Sequence, residues 1–459
     1  MLNSLPEYKI GKAIYFMYER KQLREGKSMK KSLNKIVKSL SQRDLNTLQS
    51  IYQYRCLSAE QIHQLHYQDE ETASFQDTIS RIKEMVSFDL LKEIQYKGTL
   101  KSYFLTPSGI EVVRYMFELP ANIYDAQRKV VRRGYYRASE LEIYPKNINH
   151  QIHLNQFVIE FQQQNQDINY KYFDEKYVSS YTNIRPDGML SILDTDFFLE
   201  MDMATESKKQ LFEKWENYRN FLNSREYSYR EKRIIVLFIV DGTERIQQRI
   251  DLVKFTIYER LLDVLDSDFE IYVGTKDELL HILKKRLIPA CMGSDPHAEL
   301  IKKVLELKHG FHVTNGEQIK NIFHGTKYGF YIRKLNEAGK VVVENNRVQE
   351  FLVDDYIFEK ATVVSKIAYM SKNNTFFKQQ FQREISYLII AKNEEQLFRD
   401  LRMIDLLGLP NIYFSTYQRL KENPFHEALF QIDMLGNLHH FVNNGLDERV
   451  FEENLSEGL

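Results

Sequence analysis

Residues Arg185-Pro-Asp-Gly-Met-Leu-Ser-Ile-Leu-Asp-Thr-Asp-Phe-Phe-Leu-Glu-Met-Asp-Met203 decide how this 459-residue chain folds. Arg185 to Leu190 begin one strand. Phe197 to Met203 form another, an aromatic and apolar run carrying Glu200 and Asp202. Working outward, His150 to Gln163 has the spacing of an amphipathic helix, and Tyr170 to Phe173 reads as a strand. Downstream, Ser207 to Leu222 is a helix, Arg233 to Val240 a buried strand, and Thr243 to Leu265 a long helix. Phe269 to Val273 closes the set. Helix, three strands, helix, strand defines an α/β domain within a multidomain α+β chain.

That order, with Pro-Asp on one strand and Glu-x-Asp on the next, resembles the PD-(D/E)xK restriction-endonuclease core. In that core an acid on each strand holds Mg²⁺, which polarises a water against the phosphate. The resemblance implies Asp187 and Glu200 as metal ligands, with Mg²⁺ as cofactor only if the site is active. One departure stands out. The usual lysine two residues after Glu200 is replaced by Asp202. Lys208, Lys209 and Lys214 on the following helix are candidates to replace it, and Lys214 is preferred because the helix returns it over the sheet. Asp202 is then a third carboxylate of the catalytic set Asp187, Glu200, Asp202 and Lys214. The alternative is an endonuclease-like fold kept for DNA binding or assembly.

Upstream, Asp44 to Tyr54 has helical spacing, and Ser58-Ala-Glu-Gln61 is a capping box opening a short helix through Leu65. Thr72 to Met85 forms a third helix with Phe75, Ile79, Ile82 and Val86 on one face, leaving Gln76, Thr78, Ser80, Arg81 and Lys83 mostly outward. Leu90 to Tyr96 and Ser102 to Leu105 make a hairpin across Lys97-Gly98-Thr99. Thr106-Pro107 then caps and starts a helix. Three helices, a hairpin and a helix is the order of a winged helix-turn-helix, and Tyr103-Phe-Leu-Thr-Pro-Ser-Gly109 resembles the end of its wing. Short polar side chains with one or two bases on the third helix suit base-edge contacts, and Lys97 and Lys101 on the wing suit phosphates. Winged helices also mediate protein contacts. DNA is favoured by the basic residues around this domain. Residues 1–45 hold eleven basic and four acidic residues, a net +7 that leaves −8 on the rest. Arg128, Lys129, Arg132 and Arg133 follow downstream.

Composition narrows the remaining classes. Lys+Arg 63 against Asp+Glu 64 gives no bulk field, so nucleic-acid binding must be local. Cys56 and Cys291 can build neither a disulfide framework nor a four-thiolate zinc site, which points to a reducing, cytoplasmic setting. The longest apolar run, Ile234 to Val240, is far short of a bilayer span, so no membrane partner is expected. No phosphate-binding Gly-x-x-x-x-Gly-Lys-Ser/Thr loop exists, which argues against an ATPase. In the C-terminal third, Gly293-Ser-Asp-Pro296 marks a boundary. Glu384 to Ala391, Asn393 to Leu407 and Asn411 to Ser415 read as strand, helix and strand. This echoes the middle domain, so the region reads as a degenerate second copy or a dimerisation module, with no Glu-x-Lys constellation of its own.

Taken together, His150-x-x-x-x-Asn155, Arg185 to Gly188, Phe198 to Glu206 and Lys214-x-x-x-Tyr218, behind a winged helix, resemble the replication-relaxation family of plasmids and mobile elements. The resemblance implies replication control or DNA transfer. The expected organisation is a basic arm (1–40), a winged helix (41–125), an endonuclease-like domain (145–290) and a C-terminal α/β domain (295–459). The expected partners are double-stranded DNA and, through the last domain, a homodimer. Three functions compete: a DNA-binding protein of a mobile element, a Mg²⁺-dependent endonuclease targeted by its winged helix, and a transcriptional regulator.

Overall fold

Four helices near the N-terminus open on a hydroxyl side chain, because a helix start leaves backbone amides without partners and a short oxygen-bearing residue satisfies them. The computed structural model describes residues 31–440, apart from 68–73, 118, 120–121, 125–129, 134, 179–180, 317–326, 345–346 and 382–384. The arm up to residue 30, Thr72, Arg128 and Lys129 therefore lie outside the described residues. After α1 (Lys31–Val37), α2 (Gln42–Tyr54) starts on Ser41, α3 (Ala59–His66) on Ser58, and α4 (Phe75–Ser87) on Ser74. β1 (Leu91–Ile94) and β2 (Ser102–Leu105) pair antiparallel, with Leu91 opposite Leu105, and α5 (Pro107–Met116) starts on Thr106. β3 (Asn122–Tyr124) and β4 (Val130–Arg133) form a further antiparallel pair.

The core beneath these elements holds Leu48, Ile51, Ile62, Ile82, Met85, Phe104 and Val113, all at most 2% exposed. Each contributes about 1.5–3 kcal/mol by leaving water. Gly109 belongs to the Tyr-x-Leu-Thr-x-x-Gly motif for a steric reason: a Cβ there would lie 2.2 Å from the Leu90 carbonyl oxygen.

Helix α6 (Ile148–Gln164) is bound to this bundle through neutral amides. Gln61 Nε2 donates to the Ile152 carbonyl at 2.7 Å, Gln64 Nε2 to Gln163 Oε1 at 2.7 Å, and Gln156 Nε2 to Gln64 Oε1 at 2.9 Å. Buried Asn155 donates to the Cys56 carbonyl at 2.6 Å. At the start of α6, Asn149 clamps the β1–β2 turn. It accepts from the Leu100 amide and donates to the Gly98 carbonyl, both at 3.0 Å.

Contacts divide the chain into two units. The first runs to Ile168 and includes Tyr172–Ser180 and Arg185–Met189; the second holds Asn169–Lys171, Tyr181–Ile184 and everything from Leu190. The boundary that the sequence suggests at 293–296 lies inside the second unit. Asp295 there caps α10 (Pro296–Lys303) by accepting from two backbone amides.

The expected α/β class holds, with two large sheets. One has the order β5–β6–β7–β8–β9, from β5 (Lys171–Asp174), β6 (Gly188–Ile192), β7 (Thr195–Asp202), β8 (Arg233–Val240) and β9 (Phe269–Gly274). β7, β8 and β9 are parallel, connected by α7 (Lys208–Leu222) and α8 (Ile246–Leu261). β8 is buried from Ile234 onward, as a central parallel strand with both faces covered must be. α9 (Lys276–Ile282) follows β9.

The other sheet has seven strands in the order β10–β11–β14–β15–β16–β17–β18. These are β10 (His312–Asn315), β11 (Phe330–Arg333), β14 (Glu350–Tyr356), β15 (Ser386–Ala391), β16 (Ile412–Thr416), β17 (Phe430–Ile432) and β18 (Leu438–His440). β12 (Val343–Glu344) and β13 (Arg347–Val348) form a separate hairpin. β14, β15 and β16 are parallel, joined by α11 (Ala361–Phe381) and α12 (Glu394–Met403), and α13 (Tyr417–Glu422) follows β16. Among the described residues, no helix is long and apolar enough to cross a membrane.

Candidate functional site

The exposed side of α4 differs by a rotation from the face its apolar residues suggest. Thr78, Ile82 and Met85 are its buried residues, whereas Phe75 is 42% exposed. Thr78 is therefore a correction: it points inward, its Oγ1 2.8 Å from His63 Nδ1, and has no route to a base edge. Arg81 is engaged within the protein. Its guanidinium is held by buried Asp44, at 2.8 and 2.5 Å, and by Glu84. Hydrogen bonding to Asp44 raises its pKa further.

What remains outward is the stripe Gln76, Ser80 and Lys83, spaced four and three residues apart so that they share one face. Asp77 and Glu84 flank it. On the hairpin, Lys97 is exposed in the turn, and Lys101 Nζ sits 2.9 Å from Glu93 Oε1.

In the second unit, α7 folds back across β7. Its buried residues Leu211, Trp215, Tyr218 and Leu222 anchor it, and Trp215 Nε1 donates to Thr256 Oγ1 at 3.1 Å. Lys214 and Tyr218, one turn apart, both reach Glu200. Lys214 Nζ lies 3.1 Å from Glu200 Oε2, and the Tyr218 hydroxyl donates to Glu200 Oε1 at 2.6 Å. Lys214 also pairs with Glu206 at 3.1 Å. Lys208 and Lys209 are exposed and do not share this position.

Asp202 has a different environment from the one expected of a catalytic carboxylate. Arg249 grips both its oxygens, Nε at 2.6 Å and Nη2 at 3.0 Å, and the Ala204 amide donates to it at 2.9 Å. In the first unit, Asp187 Oδ2 lies 3.2 Å from His150 Nε2.

A divalent cation needs carboxylate oxygens facing a common open point. Asp202 does not fit this, since its charge is already matched by a bidentate arginine. Glu200 is matched by an ammonium and a phenol. Asp202 is thus not available as a third ligand, and no step through Mg²⁺ is derived from the strand.

Sequence reading identified Lys214 and quoted Tyr218 and Glu206 as motif residues without giving them a place in the site. It missed Arg249 as the partner of Asp202 and Asn149 as the clamp on the hairpin. The i,i+4 spacing of Lys214 and Tyr218 was the available signal. Arg249 lies 47 residues from Asp202 and gave none.

Over residues 48–237 the chain matches the family model described as replication-relaxation. No curated protein and no solved structure matches it. The matched span begins within α2, ends within β8 and includes both Glu200 and Lys214, so the resemblance drawn from short motifs is borne out.

Proposed function

Because residues 48–237 match the replication-relaxation family model, we propose that this chain is a DNA-binding protein of a plasmid or mobile element. It acts in replication control or DNA transfer. The N-terminal unit engages duplex DNA as a winged helix, with α4 in the major groove and the β1–β2 turn along a phosphate backbone. The endonuclease-like core serves as its platform.

The observation that carries this reading is the exposed stripe Gln76, Ser80 and Lys83 beside a lysine-bearing turn that Asn149 holds in place. Amide, hydroxyl and ammonium groups are the donors and acceptors that base edges and phosphates accept. The test is fluorescence anisotropy on fragments of the element's origin and transfer regions across a salt series. Tight, salt-sensitive binding weakened by Lys83→Ala and Lys97→Ala supports the reading. Affinity unchanged in both variants removes it.

A second reading, a metal-dependent endonuclease, draws support from Lys214 returning to Glu200 at 3.1 Å. Incubating supercoiled plasmid with Mg²⁺, Mn²⁺ or chelator decides it. Metal-dependent nicking lost in Asp187→Ala/Glu200→Ala favours the nuclease. Binding without nicking leaves the core as a platform.

A further inference from the structure

The seven-stranded sheet repeats the five-stranded one. The order β10–β11–β14–β15–β16 matches β5–β6–β7–β8–β9, and each ends in three parallel strands joined by two helices. A helix precedes each set and another follows it.

The correspondence extends to chemistry. Glu200 is the sixth residue of β7, and its lysine is the seventh of the next helix. Asp354 is the fifth residue of β14, and Lys366, the sixth of α11, pairs with it at 2.8 Å. A tyrosine hydroxyl completes both: Tyr218 on Glu200, and Tyr387, donating at 2.8 Å, on Asp354.

The copies differ in access. Glu200 and Tyr218 are 2% and 1% exposed, but Lys214 keeps 20% of its side-chain surface in solvent and its second partner Glu206 keeps 29%. Asp354, Lys366 and Tyr387 are 4%, 5% and 0% exposed, and the Gly329 amide donates to Asp354 at 2.8 Å. Where Asp187-Gly188 leads into the second strand of the first set, Tyr328-Gly329 leads into β11, with the Tyr328 ring centre 5.0 Å from Lys366 Nζ. An aromatic ring thus occupies the place of an acid.

We infer that residues 296–440 are a second copy of the α/β core, and that Asp354–Lys366–Tyr387 is a sealed counterpart of Glu200–Lys214–Tyr218. The second copy locks the fold, and any substrate chemistry of the two cores belongs to the first. A buried seam joins them. Lys254 of α8 lies 3.1 Å from Asp400 of α12 and also pairs with Glu359, while the Tyr258 and Tyr356 hydroxyls meet at 3.2 Å.

The full-length chain tests this by calorimetric unfolding. Lys366→Met strands a buried carboxylate and lowers the midpoint by about 10 °C. Asp354→Asn/Lys366→Met recovers at least half of that loss, and Lys214→Met loses less than half as much. DNA affinity measured below the midpoint is unchanged in the double variant. A wild-type midpoint for Lys366→Met overturns the proposal, as does a double variant no better than the single one. If the single variant fails to fold, the double decides alone: folded supports, unfolded overturns. The unfolding results stand even if wild-type protein binds no DNA, so this proposal and the DNA-binding reading fail separately.

Discussion

The two α/β cores each set an acid on the third strand, a lysine on the next helix and a tyrosine hydroxyl against the acid. That tyrosine comes from the helix in one (Tyr218) and the next strand in the other (Tyr387), yet the lysine is partly open to water in the first and closed off in the second. Lys214 keeps a fifth of its surface in solvent, and Lys366 about a twentieth. The difference teaches that the constellation alone does not define a working site. In the first core, water reaching Lys214 and its second partner Glu206 lowers the cost of breaking the pair, although Glu200 itself is buried. In the second, desolvation makes it worth little as an intact pair and very costly to break.

The largest expected effect lies at the seam between them. Burial alone would lower the Lys254 pKa, but Asp400 and Glu359 overcome it and hold the ammonium charged. Lys254→Met leaves both acids without a cation, so the calorimetric midpoint falls by about 10 °C. The two cores then unfold in separate transitions. One undivided transition at the wild-type temperature would mean that the cores are held together otherwise.

A smaller effect sharpens the contrast of open and closed. Glu200→Gln/Lys214→Met removes the open pair, and its midpoint falls by no more than about 3 °C. A loss equal to that of Lys366→Met would erase the distinction between the copies.

Charge at the protein surface provides a third comparison. Lys83→Ala weakens DNA binding by roughly 5–10-fold and reduces the slope of log affinity against log salt by about 1. Lys392→Ala, on an exposed lysine of the second core, changes neither. Equal losses in both variants would place DNA on the second core as well.

The smallest effect concerns pH. Burial, reinforced by the Arg43 cation, lowers the His66 imidazole from 6.5 to about 4. Between those values the unfolded chain binds a proton that the folded chain does not, so stability falls as pH drops from about 6.5 towards 4. His66→Gln flattens this part of a midpoint-against-pH curve. An unchanged slope would assign the acid sensitivity to other groups.

Much of this architecture was legible in the sequence because its signals are local. Ser58 with Gln61, and Thr106 before Pro107, gave helix starts to the residue, and the apolar run Arg233–Val240 gave the central strand with its ends. Lys214 was legible because one helix separates it from Glu200.

The inward turn of Thr78 was not. Met85 and Val86 are both apolar, so the pattern fits either of two helix faces, and the choice rests on His63 accepting Thr78 as a neighbour. Nor was Asp354–Lys366 visible. Asp-Asp-Tyr has no Pro-Asp strand before it and no Glu-x-acid pattern of its own, so nothing marked the lysine 12 residues on as its partner.

The amides that bind α6 to the N-terminal bundle have a consequence for how the protein lets go. Gln61, Gln64, Gln156 and Gln163 carry no charge, so counterions neither compete for them nor screen them. Contacts to phosphate weaken steeply as ions accumulate. In the proposed DNA-binding role, a rise in ionic strength therefore frees the duplex while these joints hold, and the protein leaves one site already shaped for the next.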